Sequence, residues 1–598
     1  MHHDPILSRF FARALHALRS ALFPGALCAL LAAAGPAHAA KAGDAGDASD
    51  ASAASADAGP LVSAAWLQRH RAQPGLHIVD ASPPPQHSQQ HIPGAVPADF
   101  MTLGAADLPS ARVQQRLRDW GVNDGDVIVL VDAGGTWQAA RLFWDLVHHG
   151  LPAARLRLLD GGMAAWVAAG GAVTQAATPT PAPGQVRLGA VDPSVRVRLP
   201  EFLAASADPA RHVLLDALNP DYYYGGAAWF HRGGHVPQAT LLPADDFYNA
   251  DKTFKPAAEM RRMLAHLGIR PEQTVLSYCG GGGAAAVPFF ALKYLLGHGD
   301  VRMFQESQLG WLQDPRDLPL WTYAAPTLWR DTPWLRTWAS PMFKAMGLSK
   351  VSVVDVRPAA DFALGHVPLA LNLPALAAPG AAGLTPEQRD QWRRQLDQAG
   401  VPPEHEAVVL ADGGLNAAAA SAFLALEQLG QRRVSIYMDS VELWAEAGGE
   451  LNRPRPAAVS SAVSSAVSSP ASSPASSAAS SAVPARVAAA ATGAPAARFV
   501  DASTASQGLY APVYVDSGAT PSARSMPGTP VHLPAARLLQ ADGRPKPAKD
   551  LWKLMAAAGV PRYARIVLYA DAPGDAAINY VVFRLMGFAD IRLWAPAR

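Results

Sequence analysis

Thr274-Val275-Leu276-Ser277-Tyr278-Cys279-Gly280-Gly281-Gly282-Gly283-Ala284-Ala285-Ala286 is the stretch that decides the fold. The apolar run from Thr274 to Tyr278 predicts a buried strand, and the apolar stretch from Ala284 to Leu296 predicts a helix. Strand, tight loop and helix in succession form the unit from which a parallel α/β sheet is built. Glycine has no Cβ, so four in a row let the chain curl and show its N–H groups to one point. The N-terminal end of the helix adds a positive dipole there. A thiolate at Cys279 is favoured in such a field, and an anionic sulfur substrate is drawn to the same place. The plainer reading of these residues is a glycine-rich turn around an inert, buried thiol.

The pattern around this stretch recurs along the chain, and that repetition is the main architectural signal. In a first module, Leu76-His77-Ile78-Val79-Asp80 leads to His91-Ile92-Pro93-Gly94-Ala95. A helix (Ser110 to Trp120), a strand (Val127 to Val131), Asp132-Ala133-Gly134-Gly135 and a helix from Thr136 to His148 follow. The second module runs from Val213-Leu214-Leu215-Asp216 through Gly234-His235-Val236-Pro237 to the cysteine loop. The third has Val353-Val354-Asp355-Val356-Arg357, Gly365-His366-Val367-Pro368, then Asp412-Gly413-Gly414 and a helix from Asn416 to Leu429. A weaker fourth begins at Val513-Tyr514-Val515-Asp516 and passes through Asp571 into a helix from Asp575 to Met586. The expected fold class is α/β, with four repeated modules of a small parallel sheet flanked by helices, the last partial or divergent. The expected boundaries are 60–173, 191–325, 326–452 and 498–598. A short linker falls at 174–190, and a Ser/Ala/Pro-rich linker at 453–497 is unable to bury a core.

At 598 residues the chain is too long for a single core. Lys plus Arg is 50 and Asp plus Glu is 49, a balance that gives no reason to expect a nucleic-acid partner. Residues 1–39 read as a secretory signal: Arg9, Arg13 and Arg19, the apolar Ala21 to Ala34, then Ala37-His38-Ala39 as a cleavage site. Residues 40–59 form a flexible lead-in. No later apolar span reaches about 18 residues, so no stable membrane insertion is expected after cleavage. The expected destination is the periplasm. Cleavage would remove Cys28 and leave Cys279 alone, with no disulfide partner.

Asp80 with His91-Ile92-Pro93-Gly94-Ala95, Asp355-Val356-Arg357 with Gly365-His366-Val367-Pro368, and a cysteine loop after a strand together resemble the rhodanese superfamily. The resemblance covers most of residues 60–450 and, more faintly, 499–598. It implies a sulfurtransferase of the thiosulfate or mercaptopyruvate type, with inactive modules beside an active one. The loop position is Asp132, Cys279, Asp412 and Asp571 in the four modules, so the second is implied to be active. Cys279 is the implied nucleophile. Gly280, Gly281, Gly282, Gly283 and Ala284 are the implied substrate-binding loop. Arg232 falls where related enzymes place a substrate-binding arginine, and its plainer reading is a solvated surface residue. The family's usual basic or hydroxyl residue after the cysteine is missing, because Gly281 and Gly282 stand there.

The implied partners are a small anionic sulfur donor and a thiol or cyanide acceptor, with a protein partner for modules three and four left open. No cofactor is expected and no metal, since His148-His149 and His2-His3 lack a set of co-ligands. Asp216 and His235 are expected to be structural, because their counterparts recur in modules without cysteine. Tyr222, Tyr223, Tyr224, Trp229 and Phe230 read either as core packing or as a pocket wall. A non-catalytic scaffold is the alternative function. A phosphatase of the related fold ranks low, because Ala284, Ala285 and Ala286 stand where its arginine would be.

Overall fold

The computed structural model describes residues 59–98, 108–378, 385–453 and 499–595. The signal segment, the lead-in up to residue 58 and the Ser/Ala/Pro-rich stretch from 454 to 498 lie outside the described residues.

Runs such as Val127–Val131 and Glu406–Leu410 are buried along almost their whole length, the mark of strands covered on both faces. They form four five-stranded sheets. Within each, the strands counted along the chain lie side by side in the order first, fifth, fourth, second, third, and all pairs are parallel. The fourth sheet has the same five strands in the same order. That module is therefore divergent in sequence rather than partial.

The recurring acid has one job in all four modules. Asp80, Asp216, Asp355 and Asp516 each end the second strand and accept the backbone N–H two residues on, at 2.9–3.0 Å. Each carboxylate thus closes the turn that leaves the sheet. The histidine before the Pro turn also serves the fold. His91, His235 and His366 pair through their backbones with Thr174, Trp321 and Asn452, tying the tail of each module back to its body. The 174–190 linker is likewise strapped down: Gly184 and Val186 donate to Arg118 and Val122 carbonyls, and Val186 is fully buried.

Modules one and two share a core. Phe143, on the helix Gln138–His148, meets the rings of Phe290 and Tyr294 at 5.0 and 4.8 Å. Modules three and four pair in the same way, where Tyr580 and Arg584 reach across to Glu427. Module four also rests on module two. Tyr224 donates to the Met586 carbonyl, and Arg562 and Tyr563 both reach Asp246 at 2.7 Å.

One expected element differs. The helix after the glycine loop begins at Ala286 rather than Ala284, and continues as a π-helix over Ala291–Leu295. A helix starting at Ala284 would need an N–H at residue 288 for the Ala284 carbonyl, and Pro288 has none. That carbonyl is taken by Val287 in a turn instead.

Candidate active site

The fourth strand of module two, Thr274–Tyr278, lies between His212–Asp216 and Val301–Phe304. It delivers Cys279 to the carboxyl edge of the sheet, where ligands of open α/β sheets bind. The Cys279 N–H donates to the Ser307 hydroxyl at 3.1 Å, and the Gly282 N–H donates to Sγ at 3.1 Å. The Ser307 hydroxyl stands 3.9 Å from Sγ and also donates to the Phe304 carbonyl. At the start of the helix Ser307–Leu312, Gln308 and Leu309 donate to the carbonyls of Cys279 and Gly280. Backbone amides at that helix start therefore grip the first two carbonyls of the loop. Ser307 is fully buried and has φ of 53°, a left-handed conformation that a non-glycine residue holds only where its surroundings impose it.

The four glycines have different environments. Gly282 has φ of 82°, and a Cβ there would lie 2.2 Å from the Gln305 carbonyl oxygen. A Cβ on Gly280 would press on Trp229, and one on Gly283 would press on Trp137 of module one. Gly281 faces nothing within 4 Å and is exposed, so the loop opens to solvent there. Cys279 itself is 2% exposed. Ala284 is half-buried behind the loop.

The expectation of several converging amides and a helix dipole is modified. The amide aimed at sulfur is that of Gly282, while those of Ala286 and Val287 bond to the Gly283 and Ala284 carbonyls. The helix expected to supply the dipole starts only at Ala286.

The aromatic segment before Arg232 divides between its two readings. Tyr223 and Tyr224 are core residues, whereas Tyr222 stacks on Trp229 at 5.3 Å and the Trp229 ring lies against Gly280. Arg232 is not a free clamp: it donates to the Leu318 carbonyl at 2.9 Å and pairs with Asp317 at 3.0 Å. Its Nε is buried without a partner. Asp216 and His235 act on the fold. Tyr278 donates to the Asp216 carboxylate at 2.7 Å, and burial pushes that carboxyl up to about 7. His235 stacks flat on Tyr223, and burial holds its imidazole down to about 3, so it stays neutral. Among the described residues no group of three or more His, Cys, Asp or Glu stands where it could hold a metal ion.

Three participants escaped the sequence reading. Ser307 opens the helix Ser307–Leu312, three residues before Gly310, and Trp137 and Arg141 come from another module. Arg141 is fully buried; it grips Asp145 through Nε and Nη2 and donates Nη1 to the Gly282 carbonyl at 2.6 Å. A signal existed: a charged pair spaced i, i+4 on an otherwise apolar helix.

The rhodanese-like domain model matches residues 63–169 and 342–447, the first and third modules. A probable 3-mercaptopyruvate sulfurtransferase of Pseudomonas aeruginosa is 31% identical over 277 residues, 43% of this chain and 96% of that protein. The chain belongs to the rhodanese family. As a rhodanese it falls among the sulfurtransferase-like enzymes. It is also similar to the sulfur carrier protein TtuD of Thermus thermophilus, at 28% identity over 42% of this chain and 93% of that one. Among solved structures it is similar to the 3-mercaptopyruvate sulfurtransferase SseA of Escherichia coli, at 24% identity and a TM-score of 0.38 over 42% of this chain and 98% of that one.

Proposed function

We propose that this rhodanese carries a sulfane sulfur on Cys279, taking it from thiosulfate or a similar anionic donor and passing it to a thiol or cyanide. The supporting observation is the Gly282 N–H on Sγ, in a loop that opens at Gly281. The Cys279 thiolate attacks the outer sulfur of thiosulfate, the S–S bond of the donor breaks, and sulfite leaves with the electron pair. The product is an anionic persulfide, which the loop amide stabilises by hydrogen bonding. The acceptor then attacks the outer sulfur, leaves as thiocyanate or as its own persulfide, and restores the thiolate. Two half-reactions at one nucleophile give ping-pong kinetics. Arg232, tied to the Leu318 carbonyl and to Asp317, is given no part in these steps.

The test is intact-mass measurement after thiosulfate treatment, expected to show one added sulfur on the wild-type chain and none on Cys279→Ala. Transfer to cyanide should fall by at least about 10³-fold in that variant, as for other removed nucleophiles. The burial of Cys279 favours a second reading, a non-catalytic scaffold. No sulfur uptake by the wild-type chain would establish that reading instead. Export to the periplasm is supported by the basic and apolar opening and by Ala37-His38-Ala39; the intact mass of protein recovered from a Gram-negative host reports whether residues 1–39 are removed.

A further inference from the structure

The first module has no cysteine, yet one of its side chains reaches into the cysteine loop. Arg141 is carried by the helix Gln138–His148 and is fully buried against module two. Two of its nitrogens hold the two carboxylate oxygens of Asp145 at 3.1 Å, which fixes the plane of the guanidinium. The third, Nη1, donates to the Gly282 carbonyl at 2.6 Å. Gly282 is also the residue whose N–H meets Sγ, and its left-handed φ of 82° is what lets carbonyl and N–H point to those two partners. The carbonyl lies in the peptide plane shared with Gly283 and the N–H in the plane shared with Gly281, so pinning the carbonyl removes one of the rotations by which a glycine-rich chain would swing that amide away from Sγ.

The second pair of modules serves as an internal control. Counted from the residue that precedes each helix, Trp137 and Asn416, the place of Arg141 is held by Ala420. The module it faces has Asp571 where module two has Cys279. There Gly574, in the first turn of the helix Pro573–Leu585, packs directly on Ala417. Within one chain, the buried arginine is found opposite the loop that keeps its cysteine and is absent opposite the loop that lacks one.

We propose that Arg141 is a positioning residue for Cys279: anchored on Asp145, it holds the Gly282 carbonyl so that the Gly282 amide stays aimed at Sγ. The cysteine-free first module thereby becomes part of the site. The proposal deepens the sulfur-transfer reading and rests on it for its biological meaning. It is tested on a property of the thiol that does not require transfer.

In the full chain, the rate of Cys279 alkylation by iodoacetamide is followed from pH 6 to pH 10 by peptide mass, in wild type, Arg141→Met/Asp145→Asn and Arg141→Lys. The double variant removes the buried charge pair as a unit, so that no lone carboxylate is left behind. It is expected to melt cooperatively. Its alkylation at neutral pH should be at least about tenfold slower, with the midpoint moved to higher pH, as loss of a hydrogen bond to a charged sulfur requires. Arg141→Lys keeps the charge but lacks the fork that holds carboxylate and carbonyl together, so it should move in the same direction by less. A folded double variant with the wild-type profile overturns the proposal. So does a wild-type profile in the lysine variant, which would assign the effect to charge alone. If the double variant does not fold, the lysine variant decides by itself. Thiosulfate uptake is measured on the same samples. Absent uptake in wild type with a displaced variant profile sinks the transfer reading and keeps the positioning one, and the reverse pattern does the opposite.

Discussion

The loops after the fourth strands of modules one and two are built alike and end differently. In module one, Met163 and Ala164 donate to the carbonyls of Asp132 and Ala133; in module two, Gln308 and Leu309 do the same for Cys279 and Gly280. Gly162 has φ of 52° where Ser307 has 53°. A Cβ on Gly134 would lie 2.1 Å from a carbonyl oxygen of the next turn, and one on Gly282 would lie 2.2 Å from its own. The difference is in what fills the loop. In module one the Asp132 carboxylate accepts from Gly134 at 2.9 Å and from Ala139 at 3.1 Å, so the loop's amides are satisfied from within. A turn from module two then closes the mouth: the Lys252 stem lies on Gly135, and Phe254 donates to Asp160. In module two a single sulfur receives one amide, and Gly281 is left uncovered. On the proposed function, a shared scaffold becomes a reactive site or a structural plug according to whether its amides and its mouth are already occupied.

The largest expected effect comes from two neighbouring glycines of the open loop. Gly282→Ala must either push the Gln305 carbonyl away or abandon a left-handed backbone, at a cost of roughly 1–3 kcal/mol. The amide aimed at sulfur moves with it, so sulfur uptake should fall by at least about tenfold. Gly281→Ala adds a methyl to open space and should change stability by no more than about 0.5 kcal/mol, with uptake within a few-fold of wild type. Equal losses at both positions, read by denaturant melts and intact mass, would show that general loop flexibility matters rather than the direction of one amide.

Much of this was legible from the sequence, and the part that was not has a physical reason. The strand-end acids and the His-x-Pro turns recur because local chain geometry needs them, so repetition in sequence marks them directly. The cysteine loop stands out because four glycines directly follow a cysteine at the end of a buried strand. The late helix start follows from Pro288, whose missing N–H can be read from the sequence alone. Ser307, Trp137 and Arg141 escaped for another reason: the Arg141/Asp145 spacing marks a buried pair, but all three meet the loop only through sheet order and module pairing. Arg141 lies 141 residues before its partner Gly282, and no local pattern joins them.

A smaller effect sharpens the comparison one strand over. Asp80 in module one has His87 as its second partner at 2.7 Å, whereas Asp216 in module two has the Tyr278 hydroxyl. Burial without a cationic partner pushes the Asp216 carboxyl up to about 7. The folded state thus favours the proton. The contribution of this group is complete below about pH 4, where the unfolded chain is also protonated, and is lost as pH rises through about 7. A shift of that size corresponds to roughly 4 kcal/mol at most. Asp216→Asn should flatten the decline in denaturant stability between about pH 4 and pH 7. An unchanged slope would mean that Asp216 is ionised in the folded protein, with the Tyr278 hydroxyl and the Leu218 amide holding the charge.

The smallest expected effect is the most direct attempt to erase the difference. Asp132→Cys gives module one the residue that module two has, in a loop of matching backbone. If the nucleophile alone separated the modules, thiosulfate should now load a second sulfur, at position 132. The expected result is none. A carboxylate has two oxygens for the Gly134 and Ala139 amides; one sulfur atom cannot reach both, so the new thiol is drawn inward to cover buried donors that would otherwise stand unpaired. The Lys252 stem still covers Gly135, and the Tyr248 hydroxyl still holds the Thr136 carbonyl at 2.6 Å, so a donor has no approach like the one Gly281 leaves open. Loading at residue 132, seen by peptide mass, would show that cover and internal hydrogen bonding are secondary, and that the modules differ in chemistry only by which one kept its cysteine.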